Sequence, residues 1–205
     1  MKKFGMTTLL ALSLSASALA LPTLAHATNS NSFTTTVKAL NAPVKINVIL
    51  SEDMIYRADH LSKNMRDRSN SMRSLNNGFA GQGKYGQKDL DRLTARMKRK
   101  MEARLVKDGF TVDDNAASVL TITIVDARPN RPTFRQSASS GLSQQSYGIG
   151  GAKFEASLTQ NGQDLGMLSY GWYETDIREA QYSSTWGDAN RAIDRFARKT
   201  AKSFK

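Results

Sequence analysis

Apolar positions recur along this chain with two different periods. Val44, Ile46, Val48 and Leu50 alternate with Lys45, Asn47 and Ile49, which predicts a half-buried first strand. Ser51, Glu52 and Asp53 follow, residue types that cap a short helix reaching about Leu61. From Lys88 to Lys107 the period changes: Leu90, Leu93, Met97, Met101 and Leu105 recur at steps of three and four, one stripe of an amphipathic helix. Gly109 is placed as its left-handed C-cap. Val119 to Val125 is β-branched or aliphatic throughout and suits a central strand, with Leu120, Ile122 and Ile124 turned to the core. Pro129 and Pro132 bar that strand from continuing. Phe154, Ala156 and Leu158 then alternate with polar residues. An Asn161-Gly162 turn follows, and Leu165 to Trp172 alternates again as the returning arm of a hairpin. A last helix runs from about Trp186 to Phe204, with Ser184 or Thr185 as its cap. The pattern predicts an α+β fold: about four mostly antiparallel strands with two main amphipathic helices packed on one face.

The amino terminus changes where such a domain would work. Lys2 and Lys3 precede an apolar run from about Met6 to Leu21, and Ala25-His26-Ala27 fits a small-residue cleavage site. The expectation is a cleavable signal peptide over 1–27, a loose segment over 28–40 and a single domain over 41–205. A polar loop at about 62–87 interrupts that domain. It is either a cationic flap, through Lys63, Arg66, Arg68, Arg73 and Lys84, or a disordered insertion. A 27-residue leader leaves 178 of the 205 residues, enough for one core without disulfides, and there is no cysteine to form one. That also excludes a thiol nucleophile, a sulfur-built zinc site and an acylated cysteine anchor.

Charge then asks for a partner. The whole chain carries 29 Lys and Arg against 18 Asp and Glu, a formal +11. In the cytosol that would point to nucleic acid. Outside the inner membrane the anions are phosphates of lipopolysaccharide and phospholipid, or wall polymers, and the expectation is no nucleic-acid partner. The alternative is that the charge maintains solubility. Both amphipathic helices carry a basic outer face: Arg92, Arg96, Arg99, Lys100 and Arg104 on one, Arg191, Arg195, Arg198, Lys199 and Lys202 on the other.

Candidate chemistry is sparse. The glycines of SYGIGGAKFE, residues 146–155, lead into a strand, whereas a nucleotide loop leads from a strand into a helix. They are read as a bulge or as close packing beside a neighbouring strand. His60 is the one histidine after the leader, so neither a catalytic triad nor a transition-metal site is expected, and no cofactor. Glu155, Glu174, Asp176 and Glu179 are the carboxylates from which a glycosidase-like pair would be drawn. The segment 126–135, DARPNRPTFR, sets Arg128, Arg131 and Arg135 within eight residues stiffened by two prolines. It reads either as an anion-binding loop, with Trp172 and Tyr173 as apolar neighbours, or as a structural crossing in which Asp126 or Asn130 satisfies turn backbone.

VDARPNRPTF at 125–134, SYGIGGAKFEASL at 146–158 and TWGDANRAIDRFARK at 185–199 together resemble the DUF3313-like exported envelope proteins, many of them lipoproteins. The resemblance spans roughly residues 40–204 and implies a periplasmic α+β domain without established catalytic residues. Lacking a cysteine after the leader, this chain departs from the lipoprotein members, which implies a free periplasmic form. The expectation is a non-enzymatic envelope protein binding anionic envelope material or an envelope protein, with peripheral membrane contact as one route. The alternatives are an accessory subunit of an envelope complex and, further off, a glycan or wall hydrolase.

Overall fold

The inward-facing residues of four long strands meet on one side of a single sheet. The computed structural model describes residues 32–59, 86–134, 137–138, 143 and 145–205. The leader, His60 and nearly all of the polar loop lie outside the described residues. Within them are β1 (Phe33–Thr35), β2 (Val44–Leu50), α1 (Glu52–Asp59), α2 (Gln87–Lys107), β3 (Ser118–Arg128), β4 (Gly151–Gln160), β5 (Gln163–Tyr173) and α3 (Gly187–Ser203). A short 3-10 turn, Ile177–Glu179, precedes α3.

The strand order is β1-β5-β4-β3-β2. Three neighbouring pairs are antiparallel, and β2 pairs with β3 in parallel. A parallel pair needs a crossover, which the α2 region supplies. The sheet is therefore mixed, with five strands rather than about four, and three helices accompany it. The missed strand is β1, inside the segment expected to be loose. Three residues are too few to show a period, and pairing of Phe33 with Tyr170 through the backbone defines it.

Register places Leu120, Ile122 and Ile124 of β3 opposite Leu158, Ala156 and Phe154 of β4. Phe154 and Ala156 in turn face Tyr170 and Leu168 of β5. All are buried with Leu90, Leu93, Met97, Met101 and Leu105 of α2 and Ala189, Ile193, Phe196 and Ala197 of α3. α2 packs on β2, α3 on β4 and β5, and the two helices on each other. The ring of Phe196 lies between those of Phe154, 5.2 Å away, and Tyr170, 6.0 Å away.

Local chemistry fixes the ends. Ser51 Oγ accepts from the Met54 N–H and starts α1. α2 ends in a Schellman motif, with Phe110 N–H donating to the Leu105 carbonyl and Gly109 N–H to that of Val106. The hairpin turns on Asn161 (φ 50°) and Gly162 (φ 79°), the left-handed pair that a two-residue connection needs. The starts of α2 and α3 are tied together, since Trp186 Nε1 donates to Asp89 Oδ1 at 3.2 Å. Both helices thus begin at one end of the sheet and finish at the other. No helix among the described residues is long and apolar enough to cross a membrane.

Candidate anion-binding cleft

The proline-bounded segment after β3 is held by a buried carboxylate. Asp188, in the first turn of α3, is fully buried. Its Oδ2 accepts from Asn130 Nδ2 at 2.5 Å and from the Gly150 N–H at 3.0 Å, while Oδ1 accepts from the Gln181 N–H at 3.1 Å. Asn130 Oδ1 accepts in return from the Asp188 N–H at 2.8 Å. This clasp ties the β3–β4 and β5–α3 connections to the start of α3 at one end of the sheet. It explains Asn130 as a structural residue, and why neither Ser184 nor Thr185 caps α3. Trp186 is the N-cap and makes no side-chain capping bond, and the Thr185 carbonyl accepts from the Asn130 N–H. The glycines do provide close packing: a Cβ on Gly151, at φ 153°, would lie 2.3 Å from the Trp172 carbonyl oxygen.

The residues proposed for anion contact from sequence do not converge. Arg128 pairs with Asp126 at 3.3 Å and lies 4.2 Å over the Tyr173 ring, whose hydroxyl donates to Asp126 at 2.6 Å. Arg131 donates through Nε to the Tyr182 carbonyl. Arg135 lies outside the described residues. Trp172 and Tyr173, adjacent on a strand, point to opposite faces. Trp172 is buried under α3, with the guanidiniums of Arg195 and Arg191 at 4.3 and 5.2 Å from its ring. Of the four carboxylates from which an acid pair would be drawn, three are engaged separately: Glu155 by Lys153 at 3.3 Å, Glu174 by Arg191 at 3.1 Å and Asp176 by Arg178 at 2.5 Å, while the backbone carbonyl of the fourth, Glu179, accepts from Arg191.

Cationic side chains gather instead at the far ends of α2 and α3. An open cleft of about 540 Å³ is lined by Arg104, Asp108, Arg195, Arg198, Lys199, Lys202 and Lys205. Six cationic side chains around one acidic side chain leave a formal side-chain charge of +5. Arg195, Arg198, Lys199 and Lys202 follow the i, i+3, i+4, i+7 spacing of one helical stripe, about 10 Å long. Aromatic rings lie under it: Lys199 Nζ is 5.5 Å from the centre of Phe33 and 5.9 Å from that of Tyr170. Burial raises the Tyr170 phenol above its usual pKa, against the charge and hydrogen bond of Arg195 and the charge of Arg198.

Asp108 is the cleft's internal anion. Its Oδ2 accepts from Arg104 Nε at 2.6 Å, and Lys205 Nζ lies 3.5 Å from Oδ1. Desolvation acts to raise its pKa, but the hydrogen bonds and charges of Arg104 and Lys205 together outweigh that and hold it below the ordinary carboxylate value. The unfolded chain therefore takes up this proton at a higher pH than the folded one. The stabilisation is complete above the unfolded value and disappears as pH falls through the folded one. Asp108→Asn should shallow the loss of stability below about pH 4 and leave the trend at neutral pH unchanged, as read by urea titration at a series of pH values.

The basic stripe of α3 was visible in the sequence as a helix face. Its convergence with the end of α2 was not, because Lys205 and Asp108 meet across 97 residues of chain. The chain matches no family model and no curated relative. Among solved structures it is similar to the dodecamer of a PelC point variant from Paraburkholderia phytofirmans, with 11% identity and a TM-score of 0.42 over 82% of this chain and 95% of that one. A second PelC dodecamer from the same organism gives 12% identity and a TM-score of 0.39 over 82% and 96%. A minor lipoprotein from Acinetobacter baumannii gives 8% and 0.31 over 77% and 89%. Likenesses this distant carry no argument about function.

Proposed function

We propose that this is a non-enzymatic protein of the cell envelope, exported on its leader and cut after Ala27, that binds anionic envelope material in the cleft between the ends of α2 and α3. The observation that carries the binding site is the unbalanced charge of that cleft. The export-type leader and the resemblance to DUF3313-like proteins support the compartment. Cations placed at helix C-termini also complement the helix dipoles, but each dipole end amounts to only about half a charge. Two such ends and Asp108 leave roughly +4 over the cleft, more than capping requires.

The test replaces Arg198, Lys199 and Lys202 with glutamine. Binding of the mature protein to lipopolysaccharide and to vesicles containing anionic lipid should weaken at least about tenfold, with a shallower dependence on salt. Changing Arg128 and Arg131 to glutamine should leave binding unaltered. If wild-type protein ignores these ligands at low salt, or if the second variant is the one that loses them, the cleft assignment fails.

A second reading, an accessory subunit of an envelope complex, is favoured by the opposite end of the sheet. Ile55, Tyr56, Phe134, Tyr147, Ile177 and Tyr182 are exposed there, in the connections that leave β2, β3 and β5. Tyr147 and Tyr182 lie against each other at 4.9 Å. Crosslinking in cells that captured one defined protein through this end would favour the second reading over the first.

A further inference from the structure

Charge within the cleft narrows the chemistry of its ligand. This step rests on the anion-binding reading above. Arg104 and Lys205 are already engaged by Asp108. On the α3 stripe the acid is spent elsewhere: Asp194 pairs with Lys100 at 2.9 Å. Among the described residues Arg198 donates to a backbone group, from Nε to the Asp194 carbonyl at 3.4 Å. Arg195 stacks on Trp172, Lys199 lies over Phe33 and Tyr170, and none of these three cations has a carboxylate within ion-pair distance among the described residues. Lys202, one turn beyond Arg198, extends the row.

A site with about +4 unsatisfied favours a ligand in proportion to its charge. A carboxylate or a phosphodiester brings one negative charge, no more than Asp108 already supplies. A phosphomonoester brings about 1.5 to 2 at neutral pH and three acceptor oxygens on one atom. Arginine forks and lysine ammoniums on successive turns of one helix face offer several donors to those oxygens, and charge-assisted hydrogen bonds of this kind are the strong ones.

We infer that the ligand of this cleft carries phosphomonoester groups, held by Arg195, Arg198, Lys199 and Lys202. The second ionisation of a phosphomonoester lies near pH 6, by the rule of about 6 for such groups. Facing it from α2, α3 and the chain end are Arg104, Arg195, Arg198, Lys199, Lys202 and Lys205, with Asp108 beside them and Tyr170 beneath. Arginine and lysine stay charged between about pH 5 and 8. Over that window Asp108, held low, stays ionised and Tyr170, held high, stays neutral. A change in affinity there therefore reports the ligand's second charge.

The experiment measures binding of the mature protein at about pH 5 and about pH 8 in low salt. Soluble probes are glycerol 3-phosphate and sulfate. Vesicle probes are phosphatidylcholine with equal fractions of either phosphatidic acid, a monoester, or phosphatidylglycerol, a diester. The expected result is roughly tenfold tighter binding of monoester than diester at the higher pH, with the gap narrowing several-fold at the lower. Both effects should vanish when Arg198, Lys199 and Lys202 are glutamine. Asp108→Asn, which removes the internal anion, should tighten both classes and the monoester more. Binding of glycerol 3-phosphate with that pH profile identifies a compact phosphate, and binding confined to phosphatidic acid vesicles identifies a lipid headgroup; either supports the inference. Equal binding of monoester and diester, or no pH effect, overturns it while leaving anion binding standing. Failure of every probe overturns both.

Discussion

Asp188→Ala is expected to destabilise the fold by about 3–5 kcal/mol, the usual consequence of removing one member of a buried charged network. The carboxylate is fully buried and receives three donors, from Asn130, Gly150 and Gln181, with Arg191 3.5 Å from Oδ1. Alanine removes the acceptor that those donors share, and an unmet buried donor costs about 1–3 kcal/mol. In urea the midpoint should fall sharply with little change in slope, since the surface exposed on unfolding is the same. For a domain of this size the melting temperature should drop by on the order of 10 °C. Asp188→Asn separates shape from charge: it preserves volume but turns a donor toward at least one donor, so it should recover only part of the loss. Asp194→Ala, on the same helix and 42% exposed, should shift stability by less than about 0.5 kcal/mol. A small effect of Asp188→Ala would mean that the two connections are held by something other than this clasp.

Phe196→Ala should be of comparable size, about 3–5 kcal/mol, by a different mechanism. Its ring is fully buried between Phe154 and Tyr170, so truncation removes dispersion contacts on both sides and leaves a cavity. Phe196→Leu fills part of that volume and should recover roughly half. The consequence reaches the cleft. Tyr170 forms the floor beneath Arg195 and Lys199, the residues one before and three after Phe196 on the same helix. Loss of the ring should therefore weaken anion binding even well below the melting temperature, whereas Asp188→Ala, at the opposite end of α3, should weaken it only as far as it unfolds the protein. Binding isotherms for the two variants at low temperature distinguish these outcomes.

Much of the scaffold was legible because it depends on neighbours in sequence. The five-residue apolar stripe of α2, the glycine after its end and the Asn161-Gly162 turn each follow from local backbone geometry, and each stands where the pattern put it. The same holds for alternation along β3, β4 and β5. Short β1 escaped, since its three residues are specified by β5 rather than by themselves. The arginines of residues 126–135 show the converse error. Their spacing suggested one guanidinium cluster, but Arg128 returns to Asp126 and Tyr173 on the sheet, and Arg131 to the backbone of Tyr182. Trp172 and Tyr173, neighbours in sequence, are separated by the sheet itself because successive strand residues point apart.

The amino-acid sequence alone determined the main helices and strands, the placing of charge on the outer faces of two helices, and the lack of any thiol chemistry, because periodicity and composition are properties of short stretches. Only the tertiary structure decided which charges meet. Packing of α2 beside α3 on one face of the sheet brings Arg104, Asp108 and Lys205 alongside the α3 stripe, and buries Asp188 against Asn130 from 58 residues away. Electrostatic potential and buried hydrogen bonding depend on distances through space, and those exist only once the chain has folded.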